Sequence, residues 1–393
     1  MIMKEHKWVS MWGNAVSIAT HRPESYAKNI TLRYPVYASF SGSALRFTFD
    51  NYCGTEPVTI TRATVAVSAA SSLTSSALSC PVKLETLKPL TFHGKSDVTL
   101  APGATVVSDE LPFDVTAQSQ LVVSFYLADF TQMQSAVLIT GPLSHAYFSI
   151  GDQTNTPVLP ANESKSTNWF YFLSNIDILT SSEKHAVICY GDSITAQDWP
   201  DYLSLLLKEN QIADTSVIRR ATSGSRILRQ YNCITYDSYG LKGKNRFEHE
   251  VPTAGADTVI IQQGINDIIH PVGTDVNQFR PMSDLPTVEE MIDGIHWYIS
   301  KAKSYGYRVL LGTLLPIHGW RTYAPFREEM REELNDWIRT TSEADGCIDF
   351  DVALRNPDFP TAFRNGFDSG DHLHPSGDAY REMAQTVLPF LQK

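Results

Sequence analysis

The chain has 393 residues, 42% of them apolar and 19% charged, a globular composition long enough for two cores and outside the disordered range. A formal charge of −11, with no basic cluster larger than the Arg219-Arg220 pair, argues against a nucleic-acid partner and against an anionic membrane surface. Five scattered cysteines (Cys53, Cys80, Cys189, Cys233 and Cys347) are odd in number and lack Cys-x-x-Cys spacing, which fits a reducing compartment rather than a disulfide framework.

At the N-terminus, Met1-Ile2-Met3-Lys4-Glu5-His6-Lys7 leads into Trp8-Val9-Ser10-Met11-Trp12 without the apolar core of a secretory signal. No run of about eighteen apolar residues follows, so a cytoplasmic protein that does not span a membrane is the expectation. Up to about residue 175 the chain is rich in Ser, Thr and Val with period-two alternation. Ala44 to Phe49, Val58 to Val67, Gln120 to Leu127 and Thr167 to Leu173 read as strands, separated by turn signals such as Pro102-Gly103 and Gly151-Asp152. Many short strands without intervening helices predict a β-sandwich, taken here as residues 1–178.

From residue 179 to 393 the pattern becomes strand, loop, helix. The apolar run His185 to Tyr190 reads as a strand, with the next helix beginning near Asp198. Thr215 to Arg220 and Asp257 to Gln263 are the following strands. Thr287-Val288-Glu289-Glu290 is a capping box, with Met291, Ile292, Ile295 and Ile299 at helical spacing after it. Tyr307 to Thr313 is a strand, and Phe326, Met330, Leu334 and Ile338 mark an amphipathic helix. Cys347 to Phe350 is a short strand, and Ser376 caps a last helix carrying Tyr380, Met383, Val387 and Leu391. Strands alternating with helices predict a parallel sheet that binds ligands at the carboxyl ends of its strands.

The chemically suggestive residues fall at those ends. Ser193, in Gly191-Asp192-Ser193, follows a strand; a serine hydroxyl becomes nucleophilic when a nearby base removes its proton. His374 is the candidate base, and Asp371, three residues earlier, can fix its tautomer. Taken singly, each also reads as a turn or cap residue, and for Ser193 alone that is the stronger reading. Acyl transfer also needs donors for the developing oxyanion, and the N–H groups of Ser193 and Gly224 with the Asn266 amide are the candidates. Trp199, Tyr231 and Trp320 lie near the expected rim and are assigned, with Asp192, to substrate binding; structural aromatics are the competing reading. His270, His296 and His318 can line the same pocket or sit in the core. His372, His374, Asp371 and Asp378 invite a metal reading, but alternate positions of a short segment point apart, so neither metal nor cofactor is expected. There is no Gly-x-Ser-x-Gly elbow.

Gly191-Asp192-Ser193-Ile194-Thr195, Gly224, Gly264-Ile265-Asn266-Asp267 and Asp371-His372-Leu373-His374-Pro375 resemble, in order and spacing, the blocks of the SGNH (GDSL-type) hydrolases. Thr313-Leu314-Leu315-Pro316, Asn335 to Arg339 and Asp368 to Pro375 are similar to a bacterial subgroup of that family. Trp8 to Trp12 and Gly54-Thr55-Glu56-Pro57 resemble the subgroup's N-terminal β-sandwich. The chain departs in one place: where the family commonly has an Asn before the glycine, it has Arg219-Arg220-Ala221.

The resemblance implies an α/β fold, with a flavodoxin-like three-layer α/β/α domain built on a parallel sheet after an all-β, jelly-roll-like sandwich. It implies metal-free ester hydrolysis with Ser193 as nucleophile, Asp371 and His374 as its partners, and Ser193, Gly224 and Asn266 as oxyanion donors. The expected substrate is a small-molecule or oligosaccharide ester, above all an O-acetyl carbohydrate. A short-chain aryl esterase or lipase is the alternative within the class, and an inert carbohydrate-binding protein the alternative outside it. A homo-oligomer is compatible with the sequence.

Overall fold

A computed structural model describes residues 6–18, 26–231 and 239–392. The Met1-to-Glu5 end of the leader reading and Cys233 lie outside the described residues. Contacts divide the chain into two units: residues 1–186 with 211–218, and residues 187–210 with 219–393.

The first unit is built on two large antiparallel sheets. In one, Leu173–Ser181 lies between His6–Gly13 and Gly42–Asp50, and both Thr105–Val107 and Leu111–Val115 pair on the latter. In the other, Ile30–Ala38 and Ser119–Leu127 form the centre, flanked by Ala146–Ile150 and Ser164–Thr167 on one side and by Arg62–Val67 and Lys88–Pro89 on the other. The alternation in Ala44 to Phe49 has the expected consequence: Leu45, Phe47 and Phe49 are fully buried, while Arg46 and Thr48 between them are not. Phe49 meets Phe125 of the other sheet edge-on at 5.3 Å, so the two sheets share one aromatic core.

Two expected strands are divided. Val58–Ile60 pairs with Val98–Leu100, whereas Arg62–Val67 joins the six-stranded sheet, so the run breaks at Thr61. Thr167 to Leu173 breaks at Asn168 and again at Phe172, whose φ of 60° is incompatible with a continuous strand. Leu173–Ser181 then runs past the boundary expected between 178 and 179, because its partners His6–Gly13 and Gly42–Asp50 hold it in the first unit. The division falls after Ala186 instead.

Five strands form the sheet of the α/β part: β1 (His185–Gly191), β2 (Thr215–Ala221), β3 (Ala256–Gln262), β4 (Arg308–Gly312) and β5 (Gly346–Ile348). They are parallel in the order 2-1-3-4-5, the flavodoxin-like order whose switch point lies between β1 and β3. β1 is buried at every position, as its unbroken apolar run requires.

The helices are α1 (Ser193–Ala196), α2 (Trp199–Glu209), α3 (Gly243–Glu250), α4 (Ile265–Ile269), α5 (Val288–Ser304), α6 (Pro325–Thr340), α7 (Phe350–Leu354) and α8 (Gly377–Val387). α2, α7 and α8 pack together as one layer, and α3, α5 and α6 as another. α5 starts with both halves of its capping box: Thr287 Oγ1 accepts from the Glu290 N–H at 3.2 Å, and Glu290 Oε2 accepts from the Thr287 N–H at 2.9 Å. Among the described residues no helix is long and apolar enough to cross a membrane.

Candidate active site

Ser193 emerges directly from the buried strand β1. Asp192 caps α1 by accepting the Ile194 N–H at 3.1 Å, which turns the chain sharply and sets Ser193 at the strand's carboxyl end. Its Oγ lies 2.9 Å from Nε2 of His374, and Nδ1 of His374 lies 2.6 Å from Oδ2 of Asp371. With Nδ1–H donated to a carboxylate, Nε2 carries the lone pair that accepts the serine hydroxyl proton.

The carboxylate is itself fixed: Asp371 Oδ1 accepts the N–H groups of Leu373 at 2.9 Å and His374 at 2.8 Å. Partial burial works against the ionised Asp371, but the hydrogen bonds from the His374 ring and from these N–H groups outweigh it and hold the carboxyl well below the usual aspartate range. The structure therefore brings Ser193, His374 and Asp371 into one hydrogen-bonded chain across 181 residues of sequence.

The glycine block lies beyond β2. Gly224 has φ +73°, and a Cβ there would lie 2.1 Å from the Tyr239 ring, so both the backbone and the space require glycine. Its loop is tied to its neighbours along its length. The Thr222 N–H donates to the Gly191 carbonyl at 3.2 Å, and the Ile227 and Leu228 N–H groups donate to Asp267 at 2.8 and 3.1 Å. Asn266, buried in α4 beyond β3, donates an amide N–H to the Ser225 carbonyl at 3.1 Å and keeps a second N–H. Among the described residues the N–H groups of Ser193 and Gly224 donate to no protein acceptor.

Four of the residues that hold this arrangement are not apparent from the sequence. Arg246, fully buried in α3, donates to the Gly191 carbonyl at 2.5 Å, the Arg220 carbonyl at 3.2 Å and Ser225 Oγ at 3.2 Å, and pairs with Glu250 at 2.5 Å. One guanidinium thus joins the ends of β1 and β2 to the glycine loop. Gln263 adds a 2.8 Å hydrogen bond to Ser225 Oγ. Asp368 orders the loop before the base, accepting the N–H groups of Gly370 and His372 at 2.8 and 2.9 Å.

The substrate-binding assignments are largely corrected. Asp192 is 1% exposed and serves as a cap; burial pushes its carboxyl up to about 7. Trp199 is fully buried, its ring tilted against Phe350 at 5.8 Å, because the first turn of α2 faces inward. Tyr231 is buried with the Arg226 guanidinium 3.6 Å over its ring, which occupies the face a sugar would need. Trp320 keeps partial exposure, with the Arg321 guanidinium 4.5 Å over its ring.

The other histidines are elsewhere engaged. His270 is buried against Tyr239 at 4.4 Å, and burial, with Arg226, Arg280, Arg321 and Arg327 around it, holds its pKa well below the usual value. His296 pairs with Glu343, and His318 sits between Tyr323 and Phe359. His372 pairs with Asp368 and His374 with Asp371, and among the described residues no three such side chains are grouped to hold a metal.

A flavodoxin-like sheet presents a hydrogen-bonded serine, histidine and aspartate at its strand ends, an arrangement chemically capable of nucleophilic acyl transfer. Residues 189–382 match the GDSL-like lipase/acylhydrolase family, which supports a carboxylic-ester hydrolase domain in this part of the chain. No curated protein matches the chain. Among solved structures it is similar to a GDSL-like lipase from Bacteroides thetaiotaomicron VPI-5482, with 20% identity over 53% of this chain and 88% of that one and a TM-score of 0.38. It is similar also to an acetylxylan esterase from Geobacillus stearothermophilus, with 18% identity over 53% of this chain and 94% of that one and a TM-score of 0.39.

Proposed function

We propose that the α/β domain removes short acyl groups, acetate foremost, from carbohydrate hydroxyls through an acyl-enzyme on Ser193. The observation that carries the reading is the continuous hydrogen-bonded chain from Ser193 Oγ through His374 to Asp371. His374 Nε2 takes the hydroxyl proton as Ser193 attacks the ester carbonyl, and Asp371, ionised through its hydrogen bonds, stabilises the imidazolium. The N–H groups of Ser193 and Gly224 and the free N–H of Asn266 receive the oxyanion. The imidazolium returns its proton to the departing alcohol oxygen. Water, deprotonated by the same nitrogen, then releases the acid and restores the serine.

A carbohydrate alcohol is supported by the polar character of the loop that carries the base: Asp368, Ser369, Asp371 and His372 stand there, with the half-buried Trp320 in the loop after β4. The test follows acid release from acetylated xylo-oligosaccharides and from p-nitrophenyl esters of acetate and octanoate. Preference for the oligosaccharide acetate over the octanoate is expected. The Ser193→Ala variant should lose at least about 10³-fold in turnover on every ester while folding normally. Preference for octanoate would replace this reading with a lipase. Undiminished turnover in the alanine variant would remove Ser193 as nucleophile.

A further inference from the structure

We infer that His372, held by Asp368, is a specificity-determining residue that accepts a hydrogen bond from a free hydroxyl of the alcohol half of the substrate. The inference rests on the esterase reading of the adjacent site and adds a contact which that reading does not contain.

The segment Asp368 to His374 repeats one device twice. Asp371 accepts two main-chain N–H groups with Oδ1 and holds His374 Nδ1 with Oδ2. Asp368 does the same, accepting the Gly370 and His372 N–H groups with Oδ1 and holding His372 Nδ1 with Oδ2 at 2.5 Å. The first device serves the nucleophile. The second orients an imidazole that faces no serine.

Two further observations show that this imidazole is held against resistance. His372 has φ +64°, a left-handed conformation that costs a non-glycine residue energy and persists where the surroundings impose it. The neighbouring loop is shaped around it: Gly319 has φ +95°, and a Cβ there would lie 2.7 Å from the His372 ring. A glycine at 372 would relieve the strain, and a side chain at 319 would displace the ring. Yet the ring remains 52% exposed, so the arrangement does not serve to bury it.

The chemistry of the exposed edge follows from the buried one. Asp368 takes Nδ1–H, which leaves Nε2 as an acceptor, and among the described residues Nε2 has no partner. An oriented imidazole edge, two residues from the base and packed against the loop that carries Trp320, suits a hydroxyl donor. On an esterified carbohydrate the donors nearest the scissile bond are the free hydroxyls of the same ring. An aryl acetate has none.

The experiment compares the full-length protein with its His372→Gly and Asp368→Asn variants on a xyloside monoacetate with free hydroxyls and on p-nitrophenyl acetate. Glycine accepts the positive φ without strain, so the His372→Gly melting temperature should hold or rise. Loss of one hydrogen bond predicts about a tenfold fall in kcat/KM on the monoacetate, mostly in KM, with p-nitrophenyl acetate turnover within about twofold. Asp368→Asn, which also loosens the loop ahead of the base, should lower both rates, and the monoacetate rate further.

An equal fall on both esters would mean that His372 only supports the base. An unchanged monoacetate rate would mean that the ring touches nothing. Either overturns the inference. If the wild-type protein cleaves the aryl acetate and ignores the monoacetate, the carbohydrate reading fails first and takes this contact with it; if the wild type cleaves the monoacetate and His372→Gly cleaves it equally well, the contact alone falls.

Discussion

An asparagine that donates one amide hydrogen to Ser225 has one left to give, and that division makes Asn266 testable. The Ser225 bond fixes the amide plane before substrate arrives, so in the proposed mechanism the remaining N–H meets charge that appears only in the transition state. Asn266→Ala should therefore lower kcat by about 10²–10³-fold with little change in KM. A defect confined to KM, measured on p-nitrophenyl acetate, would make Asn266 a ground-state contact instead. At this scale the sequence is informative where chemistry demands neighbours in the chain: Asp371 and His374 stand three apart because one carboxylate serves both the loop and the ring. It misleads where a residue's role depends on which way its helix or loop faces. Trp199 reads as a rim aromatic but lies fully buried, and Tyr231 reads as a stacking platform but is covered by Arg226. Nothing in their spacing records that orientation.

α3 shows the same limit for a whole element. Gly243–Glu250 has no apolar stripe, because the face it buries consists of Phe247 and the ion pair Arg246–Glu250, one turn apart. Hydrophobic periodicity finds β1, α5 and α8 and passes over a helix whose inward face is charged. That charge is what joins the ends of β1 and β2 to the glycine loop. Arg246→Met keeps length and volume but leaves Glu250 buried without its partner, a change that costs about 3–5 kcal/mol in comparable sites. Burial already pushes the Glu250 carboxyl up against the opposing pull of Arg246, so in the variant it should take up a proton at higher pH still. The loss, read from urea unfolding, should accordingly be larger at pH 8 than at pH 5. A loss of less than about 1 kcal/mol at both would show that the pair is dispensable to the fold.

Over the whole molecule, two textures are legible in the sequence, because a sandwich and a flavodoxin-like sheet impose different periods on their residues. The exact division is not, since Leu173–Ser181 has the same alternation on either side of residue 178 and only its partners decide where it belongs. Equally hidden are buried acids, which in a sequence look like surface ones. Asp192 and Asp267, both 1% exposed, are pushed by burial to about 7 and about 6. The folded chain therefore keeps protons that the unfolded chain, with ordinary aspartates near 3.8, releases. Each acid makes the fold less stable as pH climbs from about 4 towards its folded value, with stability highest below that window. His270 acts in the opposite sense: held neutral in the fold, it favours unfolding as pH falls below its ordinary value of 6.5. The net slope mixes the two effects, so the informative quantity is a difference between proteins. Asp192→Asn retains a capping oxygen for the Ile194 N–H and removes one titrating group. Its stability relative to wild type should rise steadily between pH 4.5 and 7 and level off above, by a few kcal/mol in all. Parallel stability curves for the two proteins across that range would show that Asp192 ionises in the fold as freely as in the open chain.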